Sequence, residues 1–310
     1  MAKFRRNHNK SGQSKATTAR VLTFIILFIA GAFALYEKMA DLNFETSKEN
    51  TSQHSDEEKK STYTKPAYQV RDYLPHEEKD QVINHAYYSL AYSEKDEQAK
   101  WVAYELTREQ LNGKRVPRAK RFNPDYDVTT RSAFHRDYTR SGYTRGHLAP
   151  AGDMGFNQEA MQESFLMSNM SPQIRPFNNG IWRELEEQTR DWAREFNHLY
   201  IVVGPILNEV TEKIGDNKVS VPKKFYKVLL DLSEPEVKAI GFIVPHEKST
   251  KSLLDYAVSI DEIEKETGIN FFTGFLDIEQ ELKLEASFDP KLWKIDNKRF
   301  RQRVEKWNNQ

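Results

Sequence analysis

The chain of 310 residues contains no cysteine. This absence excludes disulfide bonds, zinc sites built on cysteine and a thiol nucleophile. If the protein is exported, core packing alone must stabilise it, because no covalent cross-link is available. Three further patterns are missing from the sequence: G-x-S-x-G, G-x-x-x-x-G-K-[ST] and H-E-x-x-H. The sequence therefore gives no sign of a serine-hydrolase elbow, a P-loop or a zincin site.

An excess of charge of either sign is also missing. The 46 Lys and Arg residues equal the 46 Asp and Glu residues, so the formal net charge is zero. This balance argues against a histone-like protein that binds polyanions through bulk positive charge. It does not exclude an enzyme that acts on nucleic acid, since such an enzyme needs only a local positive groove.

The long apolar run of the sequence lies near its N-terminus. Residues 1–20 carry six basic residues and no acidic residue, and residues 21–36 (VLTFIILFIAGAFALY) are uncharged. The run is short for a membrane-spanning helix, which needs about 20 residues, and slightly long for a signal-peptide core of about 7–15. We expect a transmembrane anchor or a signal segment cleaved after Ala32-Phe33-Ala34, and the long basic lead favours the anchor. The rest of the chain is then periplasmic or at the cell surface, or secreted after cleavage.

The remainder of the chain divides into a polar segment and one folded domain. Residues 37–67 are rich in Glu, Lys, Ser and Thr and poor in large apolar side chains, which predicts a disordered tether. We expect the folded domain to occupy residues 68–310. Strand-like and helix-like segments mix there without a strict β-α-β rhythm. This favours an α+β fold with a central antiparallel sheet and flanking helices.

Alternating apolar residues and helical periodicity locate the elements of this domain. Strands are predicted at residues 99–106, 143–149, 199–203, 225–231 and 239–244, and Gly204-Pro205 is expected to close the third of them. Helices are predicted at residues 158–165, 178–196 and 259–267, the last with Ser259 as its N-cap.

Two segments carry residues suited to phosphodiester hydrolysis: residues 143–150 (YTRGHLAP) and residues 168–186. In this reaction a water loses a proton, and the oxygens that gain charge need a cation. His147 suits the role of base, because an unperturbed imidazole has a pKa of about 6.5 and is largely neutral at pH 7. Gly146 lets a phosphate or the turning backbone approach closely. Arg145 can pair with a phosphate through two N–H donors.

The second segment suits a metal ion. Asn178 offers an amide oxygen, a hard ligand acceptable to Mg²⁺. Glu186 follows eight residues later, roughly two helical turns, and can hold a metal-bound water. Arg190 lies one turn further and can offset charge in the transition state. Taken singly, Asn178 also reads as a helix cap and Glu186–Arg190 as a surface ion pair, so the functional interpretation depends on the joint pattern.

This ordered set of motifs resembles the DNA/RNA non-specific endonuclease family, which includes secreted bacterial nucleases and the mitochondrial endonuclease G type. The family pattern is Asp-Arg-Gly-His, then Ser-Asn-x-x-Pro-Gln, then Asn-x-x-x-Trp-x-x-Leu-Glu. The matching residues here are Arg145-Gly146-His147, Ser168-Asn169 with Pro172-Gln173, and Asn178, Trp182, Leu185 and Glu186. The likeness extends over roughly residues 68–275, and three ordered motifs with fixed gaps are a specific signal.

The resemblance implies a ββα-metal active-site motif and a Mg²⁺-dependent endonuclease that cuts DNA and RNA, with Mn²⁺ as an alternative metal. His147 then corresponds to the general base, Asn178 to the direct metal ligand and Glu186 to the water-mediated metal partner. Asn169 corresponds to a polar positioner beside the histidine, and Arg190 to the transition-state arginine. Dimerisation is common in the family, so a homodimer is among the implied partners.

Two points stay open. An upstream arginine of the family falls on Arg118, Lys120 or Arg121, and we favour Arg118. Thr144 stands where the family's first motif has Asp, which removes a charge next to the motif and could alter the pKa of the base and the affinity for metal.

The alternative function is a membrane-tethered nucleic-acid-binding module of the same fold without catalysis, but the intact set of base and metal residues argues against it.

Overall fold

The computed structural model describes residues 74–76, 79–233, 236–272 and 276–309. The predicted basic lead, apolar segment and tether at residues 1–67 lie outside the described residues. Within the described ranges, no helix is both long enough and apolar enough to cross a membrane.

The described strands form one large antiparallel sheet and one small one. The large sheet has the order β1-β2-β3-β6-β7-β8-β9, and β4 and β5 pair separately. The strands of the large sheet are β1 (Gln81–Asn84), β2 (Ser89–Ser93), β3 (Gln98–Thr107), β6 (His198–Ile214), β7 (Val219–Asp231), β8 (Lys238–Pro245) and β9 (Ala257–Val258). The small sheet consists of β4 (Thr144–His147) and β5 (Met170–Gln173). The predicted α+β class with a central antiparallel sheet is confirmed.

Six α-helices of five residues or more flank the strands in the described ranges. They are α1 (Arg108–Asn112), α2 (Gln158–Glu163), α3 (Arg183–Phe196), α4 (Ile260–Thr267), α5 (Ile278–Ala286) and α6 (Asn297–Glu305). The ends predicted for α4 are confirmed. The Ser259 hydroxyl accepts the Glu262 N–H at 3.2 Å, and Gly268 ends the helix in the left-handed region at φ 72°.

Both faces of the large sheet are buried. On β3, Val102, Tyr104 and Leu106 belong to one apolar cluster, whereas Trp101 and Ala103 belong to another. This split follows from the two-residue alternation of side chains along a strand. The domain therefore has a helix–sheet–helix arrangement, with a separate core on each side of the sheet.

Helix α3 covers the first face and α4 covers the second. Leu185 and Trp192 of α3 join the first cluster, and Ile260 and Ile263 of α4 join the second. Full burial of one such side chain contributes about 1.5–3 kcal/mol. Glu186 and Arg190 belong to the same helix, so the packing of α3 on the sheet sets the backbone positions from which both side chains extend.

A buried ion pair attaches the C-terminal part of the chain to α3. Arg303 of α6 is fully buried, pairs with Glu184 of α3, and also donates to the carbonyl oxygens of Ser249 and Lys251. Removing one partner would leave a buried charge uncompensated, which typically costs about 3–5 kcal/mol. Helix α6 is therefore an integral part of the domain, although its sequence pattern did not predict it.

The predicted end of the strand at residues 199–203 is wrong. Strand β6 continues through Gly204-Pro205 to Ile214. Pairing with β3 stops at Val203, so Pro205 pairs only with Phe225 of β7, a position where proline is tolerated. Gly204 is required by close packing, because a Cβ there would overlap the carbonyl of Lys100. Gly204 therefore allows two strands to approach closely and does not form a turn.

The helix predicted at residues 178–196 is interrupted. Asn178–Trp182 forms a π-helical turn with Gly180 outside helical geometry, and regular α-helix begins only at Arg183. A Cβ at Gly180 would approach the Oδ1 atom of Asn308 to 2.6 Å. Such interruptions are frequent at functional sites, and this one lies between the two predicted metal residues.

Candidate active site

Strands β4 and β5, followed by α3, form a ββα unit that carries the predicted site. The strands pair antiparallel, with Thr144 opposite Gln173 and His147 opposite Met170. Gly146 is needed for packing, because a Cβ there would overlap the side chain of Gln173. Its predicted role in admitting a phosphate is therefore joined by a structural requirement that the sequence did not reveal.

The imidazole of His147 is held in an aromatic wall at the end of β4. Its ring lies 4.8 Å from that of Phe165, edge to face, and 5.8 Å from that of Phe122. The residue is only 8% exposed, and its Nε2 atom is buried without a hydrogen-bond partner in the described part of the chain. Burial and the charge of Arg118 lower the pKa of His147 to about 3. The ring is therefore neutral at physiological pH and has a lone pair available.

Asn169 holds the backbone that follows His147. Its Oδ1 accepts the N–H of Ala149 at 2.8 Å, and its Nδ2 donates to the carbonyls of Ala149 and Ser164 at 2.9 and 2.8 Å. The Asn169 carbonyl also accepts the Leu148 N–H at 3.0 Å. Because the amide is fully buried and both of its ends are engaged with backbone, Asn169 positions the end of β4 and does not reach a substrate.

Asn178 is attached to β4 through Thr144. The Nδ2 of Asn178 donates to the Thr144 hydroxyl at 2.7 Å, and that hydroxyl donates to the Gln173 carbonyl at 2.8 Å. The hydroxyl proton is used by the carbonyl, so the hydroxyl oxygen can only accept from Asn178. This fixes the orientation of the amide and leaves Oδ1 as the atom available to a metal.

This link does not by itself bring Asn178 to the imidazole. Positions 144 and 147 of a strand point to opposite faces, and Arg145 and His147 share the face that contacts Phe122. Strand β4 thus carries His147 and, through Thr144, is also bonded to Asn178.

Glu186 and Arg190 lie in a network of buried charges. Asp153 is fully buried and accepts from Arg190 Nη1 at 2.8 Å and from the Tyr104 hydroxyl at 2.8 Å. Burial raises the pKa of Glu186 to about 7, against the opposing charges of Lys227, Arg190 and Arg118. The ordinary surface ion pair considered for Glu186 and Arg190 is thus replaced by an Arg190–Asp153 pair with Glu186 beside it.

Lys227 of β7 is a site residue to which the sequence interpretation assigned no role. It is fully buried, its Nζ has no hydrogen-bond partner among the residues that the structure describes, and it lies 5.4 Å from the Trp182 ring centre. Burial lowers the pKa of Lys227, and Glu186 and Asp153 oppose that shift. A signal was present in the sequence: Lys227 stands at an inward position between the core residues Phe225 and Leu229.

Two arginines border His147. Arg145 donates through Nη2 to the His135 carbonyl at 2.7 Å, and its guanidinium lies over the rings of Phe122 and Tyr138. Arg118 is exposed and lies 5.0 Å from the Phe165 ring centre. Its charge affects both His147 and Glu186. The charge of Arg118 therefore reaches both parts of the site, and its match to the upstream arginine of the family stays a prediction.

Comparison with known proteins agrees with this geometry. A family model described as DNA/RNA non-specific endonuclease matches residues 67–277. The chain is 38% identical to the mitochondrial nuclease EXOG of Xenopus laevis over 208 residues, which are 62% of this chain and 57% of that protein. It is 32% identical to the mitochondrial endonuclease G of Homo sapiens over 206 residues, 61% of this chain and 68% of that protein.

A solved structure described as "Crystal structure of the EndoG/EndoGI complex: Mechanism of EndoG inhibition" superposes with a TM-score of 0.62 at 30% identity, covering 67% of this chain and 91% of that one. The chain spans less than two thirds of the length of the EXOG proteins that it matches, 57% in Xenopus laevis and 55% in Homo sapiens. The match to the family model nevertheless covers more than half of the chain and contains both strands of the ββα unit, α3 and Lys227. The chain belongs to the DNA/RNA non-specific endonuclease family.

Proposed function

We propose that this protein is a metal-dependent endonuclease that hydrolyses phosphodiester bonds in DNA and RNA. The observation that carries the proposal is the neutral imidazole of His147, whose Nε2 finds no hydrogen-bond partner in the described ranges although it is buried. A buried ring nitrogen without a partner costs free energy unless a ligand or a water meets it, so it marks a place prepared for a reaction.

His147 serves as the general base. Its Nε2 accepts a proton from the attacking water, and Asn169 keeps the strand end in place during the transfer. The low pKa of the free ring reflects burial and the nearby Arg118 charge. A phosphate that pairs with Arg118 offsets that charge, which raises the pKa of the imidazole when substrate is bound.

Asn178 and Glu186 fit a divalent metal such as Mg²⁺, with Mn²⁺ as the alternative. Asn178 presents Oδ1 because its Nδ2 is held by Thr144, and Glu186 supplies a half-buried carboxyl group among three cationic side chains. When bound, the metal would offset the charge that develops on the phosphate oxygens. The neutral hydroxyl of Thr144 performs the orienting task without the negative charge of the family's aspartate.

Arg190 and Lys227 supply the positive charge around Glu186. The pair with Asp153 restrains Arg190 to one position, so its remaining N–H groups are preorganised for an anionic phosphate. Lys227 keeps part of the Glu186 population ionised, because it lowers the pKa of that carboxyl group. Arg145 contributes through the N–H groups that His135 does not engage.

A cleavage assay with plasmid DNA and single-stranded RNA tests the proposal. The wild-type protein should cut both substrates with Mg²⁺ or Mn²⁺ and stop when EDTA is added. His147→Ala should lower the rate by about 10²–10⁴-fold, the usual contribution of a general base. His198→Ala is the control, because His198 lies at the start of β6 next to Glu105. Wild-type rates in His147→Ala would refute the role of the base. Absence of cleavage by the wild type with either metal would favour the binding-module alternative.

We further propose, from the sequence of residues 1–36, that the apolar run attaches the protein to a membrane with the catalytic domain outside the cytoplasm. Cell fractionation with a C-terminal tag measures this directly. Tag in the membrane fraction that is accessible to external protease supports the anchor, and tag in the medium supports cleavage. Tag that stays in the cytoplasm contradicts both.

A further inference from the structure

Three carboxylates meet between α4 and α5, on the opposite side of the large sheet from the candidate active site. Asp261 and Glu264 are three residues apart on α4, so they lie on the same side of that helix. Glu285 comes from α5. One oxygen from each of the three lies within 4.8 Å of the others. Two helices that are separate in the chain thus direct acidic groups to one point.

The carboxyl group of Glu285 lacks a counter-charge in a buried position. The residue is 5% exposed, and its Oε1 is buried with no hydrogen-bond partner in the part of the chain described by the structure. Burial, together with Glu264, Glu281 and Asp261, raises the pKa of Glu285 to about 8. Burying like charges together is expensive unless a cation compensates them.

The neighbouring residues hold this arrangement in place. Glu264 Oε1 accepts the Phe271 N–H at 2.9 Å, which restrains one of the carboxylates. Glu281 lies one turn before Glu285 on α5, is 9% exposed and adds a further negative charge to the same region. Asp261 is exposed, so one side of the cluster is open to water.

We propose that Asp261, Glu264 and Glu285 bind a Ca²⁺ ion that joins α4 to α5. Calcium takes oxygen ligands at about 2.3–2.6 Å, so ligands on opposite sides of the ion are about 4.6–5.2 Å apart. The three carboxylate oxygens lie within 4.8 Å of one another, close enough to share one ion of this size. Mg²⁺ ligands at about 2.0–2.1 Å need a tighter octahedral set. Water from the open side at Asp261 completes the coordination.

The test is calcium binding by the full chain, measured by titration calorimetry and by thermal unfolding. Asn178→Ala is the background for every measurement, because the candidate active site could also take a divalent ion. In that background, Ca²⁺ should bind with one-to-one stoichiometry, bind at least tenfold more tightly than Mg²⁺ and raise the Tm. Adding Glu285→Gln should weaken binding at least tenfold. The matched control is Glu279→Gln, an exposed acidic residue in the first turn of α5, and it should bind Ca²⁺ like the background.

The metal-free proteins provide a check on folding. Without Ca²⁺, Glu285→Gln should unfold at the same temperature as its background or higher, because the substitution removes a repulsive carboxylate from the cluster. Loss of binding in a protein that remains stable supports the site, and Asp261→Asn should reproduce the loss. Equal Ca²⁺ affinity in Glu285→Gln and in the Glu279→Gln control would overturn the proposal, as would the absence of Ca²⁺ binding in the Asn178→Ala background.

Discussion

Replacing Thr144 with valine should separate the orientation of the metal-site asparagine from its presence. Valine keeps the shape of the side chain but removes the hydroxyl that accepts from Asn178 at 2.7 Å and donates to Gln173 at 2.8 Å. Each lost hydrogen bond costs about 0.5–1.5 kcal/mol net, so the two together cost about 1–3 kcal/mol of stability. Residues that orient metal ligands are typically worth about 10–100-fold in metal affinity or activity. A 10–100-fold change corresponds to a free energy of about 1.4–2.7 kcal/mol, because each factor of ten is worth about 1.36 kcal/mol.

The assay is the Mg²⁺ concentration that gives half-maximal plasmid cleavage. We expect Thr144→Val to raise it about 10–100-fold, while Thr144→Ser stays near the wild type because serine keeps the hydroxyl. Thr211→Val is the matched control, since the Thr211 hydroxyl also donates to a strand carbonyl, that of Val221 at 3.3 Å. A Thr144→Val protein with the metal requirement of the wild type would refute the proposed orientation of Asn178. An equal rise in the required Mg²⁺ concentration in Thr211→Val would show that the effect comes from lost stability and not from the orientation of Asn178.

Three further outcomes follow from the charges of the site. Lys227→Met should lower turnover at least tenfold, because it leaves Glu186 without its principal counter-charge. Cleavage and thermal unfolding are measured on the same sample, and unchanged turnover in the folded variant would contradict the role of Lys227. Because burial raises the pKa of Glu186 from 4.5 to about 7, its contribution to stability is complete below pH 4.5 and is lost as the pH rises to about 7. Glu186→Gln should therefore show a smaller fall in Tm between pH 4.5 and about 7 than the wild type. Parallel curves of Tm against pH for the two proteins would contradict the raised pKa of Glu186. Cleavage should slow as the NaCl concentration rises, because salt weakens binding to a polyanion. If Arg118 pairs with phosphate, Arg118→Ala should depend less on salt, and cleavage rates at several NaCl concentrations measure this.

The sequence predicted those strands and helices whose own residues show a regular apolar pattern. The strand predicted at residues 99–106 lies within β3, and the helix predicted at residues 259–267 is α4 with its N-cap. Strand β5 was not predicted because its four residues, Met170–Gln173, include a proline and lack alternation. Its pairing with β4 is long-range and cannot be deduced from its own composition.

The candidate site was predictable to the extent that its residues are close in sequence. Asn178 and Glu186 were expected to share a face on the assumption of a continuous α-helix, but a π-helical turn separates them. Their relative direction therefore depends on Gly180 and its packing against Asn308, a residue near the C-terminal end of the domain. Asp153 and Lys227 join the site through burial, and burial is a property of the completed fold.

The balance of charge explains why composition alone could not reveal a site for an anionic substrate. The chain as a whole is neutral, yet Arg118, Arg190 and Lys227 all act on Glu186, and Asp153 opposes them there. The three positive side chains outnumber the two carboxyl groups, and burial widens this excess because it holds Glu186 partly protonated near neutral pH. A phosphate that enters would meet this local excess beside the buried Lys227 and Asp153, where electrostatic attraction is stronger than at the surface. In the proposed site, the burial of Lys227 and the raised pKa of Glu186 would thus give local positive charge in a chain that has no surplus of basic residues.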